Sequence, residues 1–155
     1  VPATEEDQSP IIQNRKARHE YTILEKVEAG VVLTGTEVKS LRDGQAQLDD
    51  AFARVENDEI WLYGAHIQPY LPATLYNHEP KRPRKLLLHR REIRRLADKV
   101  QERGATLIPL RIHWRRGYAK VELALCVGKG KADKREDIKK RDADREIRRE
   151  YAARR

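Results

Sequence analysis

The run Thr106-Leu107-Ile108-Pro109-Leu110-Arg111-Ile112-His113-Trp114, then Arg115-Arg116-Gly117, then Tyr118-Ala119-Lys120-Val121-Glu122-Leu123-Ala124-Leu125-Cys126-Val127, decides the fold class. In its second half Val121, Leu123, Leu125 and Val127 alternate strictly, which puts them on one face of a pleated strand. Lys120, Glu122 and Cys126 lie off that face. Two such runs around a short turn predict a β-hairpin. Immediately upstream, Ile93, Leu96, Ala97 and Val100 recur at i, i+3, i+4 and i+7 ahead of Gly104. That spacing predicts an amphipathic helix whose other face carries Arg91, Arg94, Arg95 and Lys99.

Further out, residues 51–56 and 60–67 are strand-like, and Asn57-Asp58-Glu59 between them supplies a tight turn. Residues 69–84 hold Pro69, Pro72, Pro80 and Pro83 and read as a loop, because proline lacks the donor that a helix or sheet needs. Residues 21–27 and 31–34 are β-rich, with Glu28-Ala29-Gly30 as a bulge or turn between them. Thr36 is placed to cap a short helix that turns Val38 and Leu41 to the core and stops at Gly44. Five or six short strands with two helices favour a small antiparallel barrel, because an open sheet would leave its edges unpaired. The expected fold is mainly β with flanking helices.

Three segments are expected: a disordered leader over residues 1–13, a β-barrel domain over 14–128, and a basic tail over 129–155. A start at Val1 points to a processed or shortened N-terminus. The leader has Glu5, Glu6 and Asp7 where an export signal needs cations and an apolar run, and no apolar stretch approaches membrane-spanning length. A soluble, cytoplasmic protein without a membrane partner is expected. With one cysteine, Cys126, there is no intramolecular disulfide and no cysteine-rich zinc site.

Enzymatic chemistry finds no support. There is no Gly-rich phosphate loop, no metal-ligand histidine spacing and no nucleophile elbow. His19, His66, His78, His89 and His113 are scattered singly and read as surface or hydrogen-bonding groups, and Cys126 as an inert small residue. Neither a cofactor nor a metal is expected. A formal charge of +8 with 37% charged residues points instead to a polyanion.

Asn14-Arg15-Lys16-Ala17-Arg18-His19-Glu20-Tyr21 combines cations, rings and an amide, a mixture suited to phosphate contact and stacking on an unpaired base. Arg82, Arg84 and Lys85 before Leu86-Leu87-Leu88, with His89-Arg90-Arg91 after it, read equally as an RNA-facing anchor or as a buried strand with solvated flanks. Lys120 is a cation on a rigid strand, where it can position a phosphate. From Lys129 onward cations outnumber acids and apolar groups are few, so the segment cannot order itself when free. Wound as a helix it would align Lys134, Arg141, Arg145, Arg148 and Arg155 in one stripe. A tail that folds on RNA and a merely solvated terminus both fit.

Asn14-Arg15-Lys16-Ala17, Glu28-Ala29-Gly30, Gly35-Thr36-Glu37-Val38-Lys39-Ser40-Leu41-Arg42, Arg84-Lys85-Leu86-Leu87-Leu88 and Asp133-Lys134-Arg135, in this order and spacing, resemble the small protein B family. The resemblance implies an oligonucleotide-binding-like (OB-like) β-barrel that grips the tRNA-like domain of transfer-messenger RNA and delivers it to stalled ribosomes. Elongation factor Tu is then an indirect partner, through the RNA. By motif position the RNA contacts fall on Glu28, Leu87 and Lys120. The wider RNA-binding set is Asn14, Arg15, Lys16, Arg18, His19, Tyr21, Glu37, Lys39, Arg42, Arg84, Lys85 and Arg90. The resemblance further implies that the tail enters the decoding centre and messenger channel of the small subunit as a helix, through Lys129, Lys131, Asp133, Lys134, Arg135, Lys139, Arg141 and Arg145. Where the family commonly has a ring before Asp-Lys-Arg, this chain has Ala132, so that stacking contact is missing. The competing class is a ribosomal or general RNA-binding protein on the same barrel, which would need exposed aromatics that a 6% aromatic content scarcely supplies.

Overall fold

The computed structural model describes residues 10–73, 76–129, 145, 148 and 149. The leader up to residue 9 and the tail positions Lys131, Asp133, Lys134, Arg135, Lys139 and Arg141 lie outside the described residues.

The hairpin read from the alternating run is present as β8 (Thr106–Arg115) and β9 (Tyr118–Gly128). Its two-residue turn places Arg116 and Gly117 at φ 52° and 79°, a left-handed pair whose twist matches that of the flanking strands. The long strand β2 (Tyr21–Val31) pairs antiparallel with β9 from Tyr21 opposite Gly128 to Gly30 opposite Lys120. A second hairpin joins β4 (Phe52–Glu56) to β5 (Glu59–Tyr63) through Asn57 and Asp58, again both at positive φ. Strand β7 (Arg84–Leu87) bridges β5 to β2, and β4 meets β8 at Ala53 opposite Leu107. The order β8-β4-β5-β7-β2-β9 therefore returns to β8 as a ring of antiparallel strands. Closure gives every strand of the ring a neighbour on both sides.

Around the ring, β1 (Ile12–Gln13) adds to β8, and β3 (Ala46–Gln47) pairs with β6 (His66–Ile67) as a separate small sheet. Three helices flank it: α1 (Arg15–Glu20), α2 (Gly35–Arg42) and α3 (Arg90–Arg103). Inside, Ala29, Ile60, Leu62, Leu86, Val121 and Leu123 meet Leu41 of α2 and Leu96 of α3. Each fully buried aliphatic side chain contributes about 1.5–3 kcal/mol of transfer free energy, offset in large part by chain ordering. Among the described residues no helix is long and apolar enough to cross a membrane.

Several expectations are corrected. Glu28-Ala29-Gly30 does not interrupt a strand, since β2 runs through it and the bulge falls between Ile23 and Glu25. The physical demand on Gly30 is lateral: a Cβ there would lie 3.2 Å from Leu87 Cβ, so the glycine lets the leucine lean over β2. Thr34, not Thr36, caps α2. Its backbone N–H donates to Glu37 Oε1 at 2.8 Å while its hydroxyl accepts from the Glu37 amide, a reciprocal capping box. The Thr36 hydroxyl instead meets buried His78 Nδ1 at 2.8 Å. Ile12 and Gln13, read as leader, are a strand, and α1 was read only as a charged stretch. Cys126, off the main core face, is nonetheless buried, because α1 covers that end of the sheet with Ala17 over Ile108, Leu110 and Ala124.

Candidate nucleic-acid interface

The register places residues of four strands side by side on the outer face of the ring. His113 on β8 lies opposite Lys120 on β9, Lys120 opposite Gly30 on β2, and Gly30 opposite Leu87 on β7. One step along, Arg111, Glu122 and Glu28 form the next row. A further step brings Lys26, Ala124 and Ile108, where α1 begins to cover the sheet. The outer face thus has a covered half built of small apolar residues and an open half built of charge. Glu28, Leu87 and Lys120, far apart in sequence, share the open half.

Two carboxylates organise the cations there. Glu28 Oε1 accepts from His113 Nε2 at 2.6 Å, and its Oε2 lies 3.2 Å from Arg115 Nη1. Glu122 Oε2 accepts from Arg111 Nε at 2.7 Å, with Lys26 Nζ 3.7 Å from the other oxygen. Burial works against the Glu122 carboxylate, but the Arg111 hydrogen bond and the charges of Arg111, Lys26 and His113 outweigh it and hold its pKa below the usual range. Cations exceed acids on this face, so its field favours phosphate. Leu87 is 52% exposed and Tyr118, two residues before Lys120 on the same strand face, is 72% exposed, which adds apolar and aromatic surface to the charges.

The other expected positions divide by burial. Arg15, Lys16, Arg18 and His19 are exposed on α1 next to the covered half, and Tyr21 is half-buried against it. Arg42 is exposed, stacks 4.4 Å over the Trp114 ring and donates to Gly117 O at 3.5 Å, which ties α2 to the β8–β9 turn. Lys39 is exposed 5.5 Å over the Tyr70 ring, Arg90 is exposed at the start of α3, and Lys85 is half-buried 3.3 Å from Glu59. Of the tail, Lys129 donates its N–H to Glu20 O at 2.9 Å, and Arg145 is exposed.

Three expected RNA contacts belong instead to the interior. Asn14 is buried: its Oδ1 caps α1 at the Ala17 amide, and its Nδ2 donates to Leu48 O and Pro109 O at 3.1 and 2.9 Å. Glu37 is 0% and Arg84 1% exposed, and they form a buried ion pair that Arg82 joins from the rim. Arg84 also donates to Ala65 O at 2.8 Å and Pro80 O at 3.1 Å, so one guanidinium fastens α2, β7 and the proline-rich loop together. Burial works to raise the Glu37 pKa, yet hydrogen bonds from Arg82, the Thr34 amide and Arg84 win and lower it. Neither group reaches solvent. The expected set omits Lys26, Arg111 and Arg115 and takes His113 only as a surface or hydrogen-bonding group. Carrying the phase of Lys120 across the hairpin and onto β2 finds all four.

No group of His, Cys, Asp and Glu among the described residues has the arrangement to hold a metal. Burial pushes the Cys126 thiol up to about 11, which leaves it protonated and a poor nucleophile at neutral pH.

In comparisons with known proteins, residues 11–153 match the SmpB protein family. The SsrA-binding protein of Desulforudis audaxviator is 60% identical over 142 residues, covering 92% of this chain and 93% of its own. That of Carboxydothermus hydrogenoformans is 58% identical over 144 residues, covering 93% and 97%. Among solved structures, a chain described under "tmRNA-SmpB: a journey to the center of the bacterial ribosome" is 48% identical, with a TM-score of 0.67, and the match covers 84% of this chain and 95% of that one.

Proposed function

Since this chain belongs to the SmpB protein family, we propose that it binds the tRNA-like domain of transfer-messenger RNA, the SsrA RNA of its relatives' name, and delivers it to stalled ribosomes for trans-translation. The observation that carries the reading is the convergence of Glu28, Leu87 and Lys120 on the open half of the β2-β9-β8 face. Lys120 neutralises phosphate, Leu87 packs on a base or sugar, and Glu28 accepts from an amino group or a ribose hydroxyl. Arg111, Arg115 and Lys26 extend the positive field around them, and Arg15, Lys16, Arg18 and His19 on α1 extend it past the covered half. The closed antiparallel ring is an OB-like β-barrel in this reading, and residues 14–128 form the RNA-binding unit.

The tail from Lys129 engages the decoding centre and messenger channel of the small subunit as a helix, with Lys131, Lys134 and Arg135 on phosphates. Its cationic composition supports this. The protein acts by binding RNA, as its relatives' name describes, and not by catalysis. Work on ribosomes places it in the cytoplasm. A competition assay, with the labelled tRNA-like domain challenged by unlabelled ordinary tRNA and by unstructured RNA, tests the proposal. Competitors at least tenfold weaker than the unlabelled tRNA-like domain are expected; equal competition by all three RNAs would overturn it.

A further inference from the structure

A carboxylate facing RNA opposes the phosphate charge, so Glu28 needs a neighbour that keeps it ionised and aimed. Its two contacts differ in stiffness. Arg115 reaches Oε2 at 3.2 Å with a side chain that is 63% exposed, a long tether in high dielectric. His113 reaches Oε1 at 2.6 Å with a side chain that is only 12% exposed, from the middle of a strand paired on β9 to Lys120. The ring is packed in place, and its Nδ1 is buried with no partner among the described residues. An ionised carboxylate only accepts, so Nε2 carries the proton of this bond. The carboxylate has about four lone-pair positions, of which these two donors occupy half.

We propose that His113 is the positioning residue of the RNA site: its Nε2–H fixes the Glu28 carboxylate so that the remaining lone pairs face a base amino group or ribose hydroxyl. This rests on the proposed function and names a part of its site. The charged groups around the ring are Glu28 and Lys26 from β2, Lys120 and Glu122 from β9, and Arg111 and Arg115 on its own strand.

The test uses the full chain and the labelled tRNA-like domain at fixed salt and pH, with a urea midpoint recorded for every variant. His113→Leu, which has no donor, is expected to weaken binding about tenfold, the scale of one hydrogen bond to a charged group. His113→Gln keeps a donor, and is expected to stay within about threefold of wild type. Combining His113→Leu with Glu28→Gln should weaken binding no further than Glu28→Gln alone. Wild-type affinity in His113→Leu or equal weakness in both His113 variants overturns the inference. Lys120→Ala separates the two levels. If the wild type prefers this RNA and only Lys120→Ala weakens it, the His113 role falls alone. If the wild type shows no preference, the functional reading falls and takes this one with it.

Discussion

Replacing Glu37 by glutamine separates an interior role from an RNA-facing one. Three donors converge on this carboxylate: the Thr34 amide at 2.8 Å, Arg82 Nη2 and Arg84 Nε. Glutamine keeps the shape and one acceptor oxygen, but it turns an N–H against a guanidinium N–H. Arg84 cannot swing out to water, since it is 1% exposed and anchored on Ala65 O and Pro80 O. The variant therefore leaves a buried charge without its counterion, at a cost of about 3–5 kcal/mol. A domain of this size has a stability of about 5–15 kcal/mol, so the loss is a large fraction of the whole. With an m-value of about 1.5 kcal/mol/M, the urea midpoint should fall by about 2–3 M.

The sign of the pH dependence follows from the lowered pKa of Glu37. Its contribution is present above the unfolded carboxylate value, near pH 4, and is lost as pH falls through the folded value. The wild type should lose stability on acidification by more than Glu37→Gln does. The double variant Glu37→Met with Arg84→Met should recover part of the loss, because no charge is left buried. RNA affinity, measured where the variant remains folded, should stay within about twofold of wild type. A normal urea midpoint with weakened RNA binding would refute the reasoning and return Glu37 to the interface.

Other outcomes follow from the same geometry. Lys120→Ala should lower the slope of log K against log salt by roughly 0.7–0.9, the share of one phosphate contact, and an unchanged slope would remove Lys120 from the interface. Gly64→Ala should be destabilising, because Gly64 has φ +74° and a Cβ there would lie 2.6 Å from Asp50 O; a melting temperature equal to wild type would contradict this. Truncation after Gly130 should spare binding of the tRNA-like domain and abolish tagging of stalled products, whereas equal loss of both would end the two-part division of labour.

What could be read from sequence was local. The turns expected at Asn57-Asp58-Glu59 and Arg115-Arg116-Gly117, the α3 stripe ending at Gly104 and the alternation in β9 all depend on neighbours within a few residues, and all appear in the fold, with Glu59 and Arg115 already in the strands. Lys120 was placed off the core by the same alternation. The failures concern partners far along the chain. Nothing near Glu37 announces Arg84, and a charged pair in a basic protein reads as surface until the two are brought together in the interior. Asn14 reads as an RNA contact because its acceptors, Leu48 O and Pro109 O, come from positions far along the chain. One signal was available: the unbroken run Leu123 to Val127 is apolar on both strand faces, which implies a cover on the second face, and α1 supplies it.

The most direct test of the open face as the RNA site is hydroxyl-radical footprinting of side chains, with and without the tRNA-like domain. Tyr118 and Leu87 lie on the face, while Leu71 and Tyr76, also exposed, sit on the proline-rich loop and serve as references. Bound RNA should suppress oxidation of Tyr118 and Leu87 and leave Leu71 and Tyr76 reactive. Protection of the loop pair with Tyr118 and Leu87 unchanged would contradict the assignment.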